Sequence, residues 1–167
     1  MIVAMGDRLT ELRASLLSAC QARYEKRLVS LAIFGSWARR AATPASDIDV
    51  LLVASSLPPS RRKRVAEFEL VERDTASVCA RVWPEYQTAA NLSPVLKTPD
   101  EVDAGSPLFL DMTEWCDLLW DPEGFLAGYL GGLRSRMAGM GAQRLARKGG
   151  YCWQYKPDIG SREVVTL

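Results

Sequence analysis

Apolar residues recur along the chain with two different periods, and the switches between them outline alternating helices and strands. Over 7–27, Leu9, Leu12, Leu16, Cys20 and Tyr24 return every three or four positions, with Asp7, Arg8, Glu11 and Arg13 on other faces. That spacing predicts an amphipathic helix. Residues 28–34, Leu-Val-Ser-Leu-Ala-Ile-Phe, form a short apolar run rich in strand formers and predict a buried strand, broken by Gly35-Ser36. Ser36 suits the N-cap of one or two helical turns through Trp37-Ala38-Arg39-Arg40, ended by Pro44. From 47 to 53 the period is two, with Asp47, Asp49 and Leu51 facing one way and Ile48, Val50 and Leu52 the other.

Pro58-Pro59 opens a long helical stretch with Val65, Phe68 and Val71 as its apolar stripe. Its early turns carry Arg61 to Arg64, four cations that oppose the helix dipole, so this is either a solvated face or a site for anions. Residues 78–83 fit neither period, and Pro84 ends them. Residues 86–96 predict a third strand, with Pro94 marking an edge or an end. A helix over 107–114 and a strand over 116–120 follow. Asp121-Pro122-Glu123 then opens a last helix to Met140, softened by five glycines. The fold class is α/β: a small mixed sheet flanked by helices, with a C-terminal helical extension. We expect a core over 1–122, with the helix and basic, aromatic tail of 123–167 packed on the same domain.

Composition narrows the chemistry. A chain of 167 residues buries enough surface to need no disulfide or metal staple. Its formal charge of +1 creates no global field toward nucleic acid or membrane. Histidine is absent, which removes Ser-His-Asp and Cys-His nucleophile pairs, His-ligated zinc and imidazole acid–base catalysis. The four cysteines form no Cys-x-x-Cys pair and sit in apolar neighbourhoods, as reduced, buried thiols do, which favours the cytoplasm. Residues 1–13 hold no long apolar stretch, and no segment reaches the roughly 18 apolar residues of a membrane span.

One segment concentrates chemistry. Gly35-Ser36, ten further residues and Asp47-x-Asp49 lie between two apolar strands. Carboxylates at i and i+2 on a strand share a face and can grip magnesium ions held a few ångströms apart. A Gly-Ser turn opening a helix offers backbone N–H groups and a hydroxyl to phosphate oxygens. Those four positions coincide by chance on the order of once per thousand chains of this length. The bland alternative is a loop of ordinary capping residues.

These residues, Phe34-Gly35-Ser36 and Asp47-Ile48-Asp49-Val50, resemble the signature of the minimal nucleotidyltransferases of the DNA polymerase β superfamily. The likeness covers about 28–96 as a palm-like core. It implies magnesium-dependent transfer of a nucleoside monophosphate from an NTP, ATP being the first candidate, onto a hydroxyl of a protein, small molecule or RNA. Two Mg2+ ions would sit on Asp47 and Asp49, and the triphosphate on Gly35 and Ser36. The likeness also makes an antitoxin-like role plausible, in which a catalytically weakened module binds a separate HEPN-type partner protein. The chain is not itself such a HEPN ribonuclease, whose motif needs a histidine.

The family's competent members usually carry a third carboxylate on the next core strand. The site face of 86–96 would include Gln87, Ala89 and Asn91 or their neighbours, and neither face holds an acid. Either Glu85, just ahead of the strand, supplies a third catalytic carboxylate, or the site is incomplete. Farther on, 124–156 holds six basic residues and no acid, followed through Tyr151, Trp153 and Tyr155 by alternating aromatics. An RNA surface would look like this, but so would a solvated helix followed by an edge strand packed on the core, and the latter is favoured.

Overall fold

The structure is a computed structural model that describes residues 5–82, 90–147 and 150–154. Helix α1 (Met5–Tyr24) leads through a single 3-10 turn (Glu25–Arg27) into strand β1 (Leu28–Phe34). Next come α2 (Gly35–Ala38), β2 (Ile48–Ala54) and α3 (Arg61–Cys79). Strand β3 (Leu92–Lys97), α4 (Pro99–Asp103) and α5 (Leu108–Met112) follow, then β4 (Asp117–Trp120) and α6 (Phe125–Gly139). A hairpin of β5 (Gln143–Arg147) and β6 (Gly150–Gln154) comes last.

The main sheet runs β3-β2-β1-β4 and is mixed: β1 is antiparallel to both β2 and β4, while β2 and β3 are parallel. Alternation along β1 and β2 sends apolar side chains to both faces, so each face needs its own cover. Leu31, Ile33, Val50 and Leu52 pack against Leu12, Leu16 and Tyr24 of α1 and Phe68 and Val71 of α3. Ala32, Phe34, Leu51 and Val53 pack against Val102, Phe109, Met112 and the buried stripe Leu126, Leu130, Leu133 and Met137 of α6. The result is a small mixed sheet between two helical layers, the expected class.

Several expected boundaries shift, each for a physical reason. Ser36 does not cap α2. Gly35 takes a left-handed φ of +68°, so the chain turns one residue earlier and Ser36 lies inside the helix. The last helix starts at Phe125 rather than 121. Asp121 instead caps it from outside, accepting from the N–H groups of Leu126 (3.1 Å) and Ala127 (2.9 Å). The same carboxylate takes the hydroxyl of the buried Ser30 at 2.7 Å, which pins the helix start to β1. Helix α4 had not been expected, although Thr98 and Glu101 form a capping box that the sequence spells out. The third strand begins only at Leu92, and 83–89, with Glu85, Gln87 and Ala89, lie outside the described residues.

After α6 the expected edge strand is β6, and β5 adds a strand to the expected elements by pairing with it in a hairpin. In the hairpin, the Arg144 guanidinium stacks 4.3 Å from the Trp115 ring, and Trp153 Nε1 donates to Asp111 Oδ1 at 2.8 Å. Trp153 also packs on the second core. Two of the residues that could have met RNA therefore serve packing. Cys20, Cys79 and Cys116 are free thiols. Among the described residues, no helix is long and apolar enough to cross a membrane.

Strand β3 is an edge, and it is blunted. The Ile48 N–H donates to the Asn91 carbonyl at 2.7 Å, so by the alternation of a parallel ladder Pro94 and Leu96 turn their backbone groups outward. Pro94 offers no N–H there, and the Leu96 carbonyl accepts from Arg64 Nη1 at 3.2 Å. Arg64 is held by Glu101 in a two-pronged pair at 2.7 and 2.9 Å. That pair, with the Thr98 cap, pulls the Glu101 carboxyl from its ordinary value of 4.5 to about 2. The stabilisation is complete above the unfolded value and is lost as pH falls from about 4.5 to about 2. We expect Glu101→Gln to cost at most about 1 kcal/mol at pH 7, because the pair is partly solvated, and clearly less at pH 2, where the carboxyl is about half protonated. Urea unfolding at the two pH values checks this.

Candidate active site

The site forms where β1 ends and β2 begins. Phe34 and Asp49 are paired across the two strands, so the turn after β1 lies directly over the Asp49 side chain. Only glycine fits at its first position. A Cβ placed on Gly35 would stand 3.0 Å from Asp49 Cγ and overlap its Oδ2. The turn is closed by Arg39 N–H to the Gly35 carbonyl (3.2 Å) and Ala41 N–H to the Ser36 carbonyl (2.9 Å). Trp37, buried in the first core, anchors it. The loop then returns through a second turn, in which the Thr43 N–H donates to Ser46 Oγ at 3.0 Å and the Ser46 N–H to the Thr43 carbonyl at 2.9 Å. It delivers Asp47, exposed, to the start of β2.

Asp49 is half-buried, and its environment works against its charge. Burial is the larger cause of its raised pKa, and the charge of Asp47 adds to it. Arg39 and a hydrogen bond from Ser93 pull the other way without winning. Such a strained acidic pair is what an added cation relieves. The donors also suit magnesium, which takes one or two carboxylates and completes its shell with water and substrate phosphates.

Strand β3 supplies the other flank. Its register places Ser93 beside Asp49 and Leu92 beside Ile48, with Asn91 one step before, level with Asp47. The residue next to Asp49 on the neighbouring strand is therefore a serine. Among the described residues, no group of three acidic or thiol side chains converges here or elsewhere. Glu85 lies outside the described residues. Gly35, Ser36, Asp47 and Asp49 are thus brought to one corner of the sheet, and Ser93 and Arg39 join them. Those two were missed in the sequence, although the alternation of Gln87, Ala89 and Asn91, continued by one step, lands on Ser93.

The nucleotidyltransferase domain family matches residues 14–98, which run from α1 past the Gly-Ser turn and both aspartates to the end of β3. The chain belongs to this family. Membership makes it a transferase enzyme. The nucleotidyltransferase is 30% identical over 116 residues to a Methanocaldococcus jannaschii protein named "Putative protein adenylyltransferase MJ1305", spanning 68% of this chain and 73% of that one. Similar solved structures include a chain of a toxin–antitoxin pair crystallised with AMP-PNP (13% identity, 77% and 92% coverage, TM-score 0.44). Another is a chain from the complex of a tri-AMPylated Shewanella oneidensis HEPN toxin with its MNT antitoxin (12% identity, 79% and 92% coverage, TM-score 0.39).

Proposed function

We propose that this nucleotidyltransferase moves AMP from magnesium–ATP onto a hydroxyl carried by a protein. The observation that carries the reading is the corner itself: a glycine-only turn seated on one of two adjacent carboxylates. The adenylyl group and the protein acceptor are supported by the name of the archaeal relative. The openness of the corner also supports a large acceptor. Asp47 is exposed at the start of β2.

Asp47 and Asp49 would hold magnesium, which supplies charge neutralisation on the triphosphate and stabilises the leaving pyrophosphate. Gly35 and Ser36 would steady the phosphates through the N–H groups of the turn. The acceptor oxygen attacks the α-phosphorus, the bond to the β-phosphate oxygen breaks, and pyrophosphate leaves. Ser93 is neutral near pH 7 and takes no proton, so unless Glu85 reaches the corner the acceptor's proton passes to solvent and the reaction is slow.

Ser93 also favours a second reading. Among the described residues only Asp47 and Asp49 bring carboxylates to the corner, and a site so furnished binds nucleotide better than it turns it over, which suits a module that acts by docking on a partner such as a HEPN-type protein. Calorimetric titration of magnesium–ATP tests the shared premise. Saturable binding to the wild type that vanishes in Asp47→Ala/Asp49→Ala is expected, with transfer of α-labelled AMP to a protein separating the two readings. A folded wild type that binds no magnesium–ATP sinks both.

The raised Asp49 pKa has a consequence for stability. The folded state holds this proton more tightly than the unfolded one, so metal-free stability falls as pH rises above about 4. Asp49→Asn is expected to raise the metal-free melting temperature at pH 7 and to leave it unchanged below pH 3. Thermal unfolding in EDTA at both pH values measures this; an equal effect at both would show that the charge is not the cause.

A further inference from the structure

Two of the four cations that open α3, Arg61 and Arg64, line a cleft at the sheet edge. A cleft of about 490 Å³ lies between the start of α3, the outer edge of β3 and α4. Its floor is apolar, from Val65, Pro94 and Val95, and its walls carry Arg61, Arg64 and Lys97 against the single acid Glu101. Arg64 is spent on Glu101, which leaves Arg61 and Lys97 as excess positive charge. Arg62 and Lys63, between Arg61 and Arg64 on α3, are both exposed but do not line the cleft. In a chain whose formal charge is only +1, this is a local concentration of charge on a concave apolar floor.

The cleft also has a fixed relation to the active-site corner. It starts at Pro94, the residue after Ser93, and follows β3 to Lys97. At about 3.3 Å per residue, its far end lies about 13 Å along the strand from Ser93. The blunted edge excludes strand addition, because Pro94 and the Arg64–Leu96 bond remove outward partners. What remains is recognition by charge and apolar contact.

We infer that this cleft docks an acidic, extended segment of the protein that carries the acceptor hydroxyl. This rests on the transfer reading above and adds a specificity rule to it. An acidic run seated on Arg61 and Lys97 puts a side chain about four residues away at the Asp49–Ser93 corner, since four residues of extended chain span about 13 Å. The cleft thereby selects acceptors with a hydroxyl about four residues from an acidic cluster.

The test uses a dye-labelled peptide of six glutamates, a three-residue Gly-Gly-Ser spacer and a tyrosine, read by fluorescence anisotropy at low salt. Saturable binding to the wild type is expected, weakened at least tenfold in Arg61→Glu/Lys97→Glu and less than twofold in Arg134→Glu/Arg136→Glu, a control on the exposed side of α6. Unchanged magnesium–ATP binding shows that the cleft variant is folded with its site intact. Asp47→Ala/Asp49→Ala should bind the peptide as the wild type does. If peptide binding survives while magnesium–ATP binding fails in the wild type, the cleft stands and the transfer reading falls. No peptide binding by the wild type, or equal binding by the cleft variant, overturns the inference. So does a labelled oligo-uridylate of equal charge that binds more tightly and loses that advantage in the cleft variant, which would make the surface a nucleic-acid site.

Discussion

Ser93→Asp is expected to accelerate nucleotidyl transfer by about 10²-fold or more, because it places a carboxylate beside Asp49 where the wild type has a hydroxyl. The third acid would share the metal and take the acceptor's proton, and positioned general bases contribute about 10²–10⁴-fold. The gain has a cost. A third negative charge beside an already repelling pair should lower the melting temperature in EDTA, and magnesium should restore it. The measurement is pyrophosphate release from magnesium–ATP with a library of Ser-, Thr- and Tyr-containing peptides, for wild type, Ser93→Asp and Ser93→Ala. If magnesium–ATP binding is intact and the rate of Ser93→Asp equals that of the wild type, the β3 position is not part of the reacting centre. If Ser93→Ala alone abolishes release, the serine hydroxyl is itself required and the weakened-module reading falls.

Gly35→Ala is the largest expected loss. Two penalties coincide at this position. The φ of +68° costs an alanine on the order of 1 kcal/mol, and the new methyl group overlaps the Asp49 carboxylate. Asp49 has little room to yield, with Phe34 paired to it on one strand and Ser93 on the other. The turn or the carboxylate must therefore move, and catalytic geometry lost by about 1 Å costs about 10²-fold. Magnesium–ATP affinity should fall at least tenfold and transfer to background, with about 1–3 kcal/mol of stability lost. Calorimetry and urea unfolding read the two effects separately. An alanine variant that binds magnesium–ATP like the wild type would show that the close approach of turn and carboxylate has no functional role.

The two variants divide the site by how far it could be read in advance. Gly35 and Asp49 stand out in the sequence because each lies in a local pattern, a strand that stops at a glycine and a strand that starts with alternating acids. Ser93 does not. It lies 44 residues beyond Asp49, and it faces that carboxylate only in one register of a parallel pair; a one-residue slip would have offered Leu92 or Pro94 instead. Arg39 is likewise read only in space, since its effect on Asp49 acts across the turn.

The same division runs through the fold. The helix–strand alternation, β1 to the residue, the apolar faces of α1 and α3 and the Gly-Ser and Asp-x-Asp corner were all set by the chain's own local order. Period, capping and glycine placement act over a few residues, so they are written where they act. The tertiary structure decided the rest. It made β3 an edge, turned Asp121 into a cap for a helix that starts four residues later, drew Arg144 and Trp153 into packing, and gathered Arg61, Arg64 and Lys97 around one cleft. Those outcomes depend on which distant segments become neighbours. Register and layer packing choose them, and no window of adjacent residues contains that information.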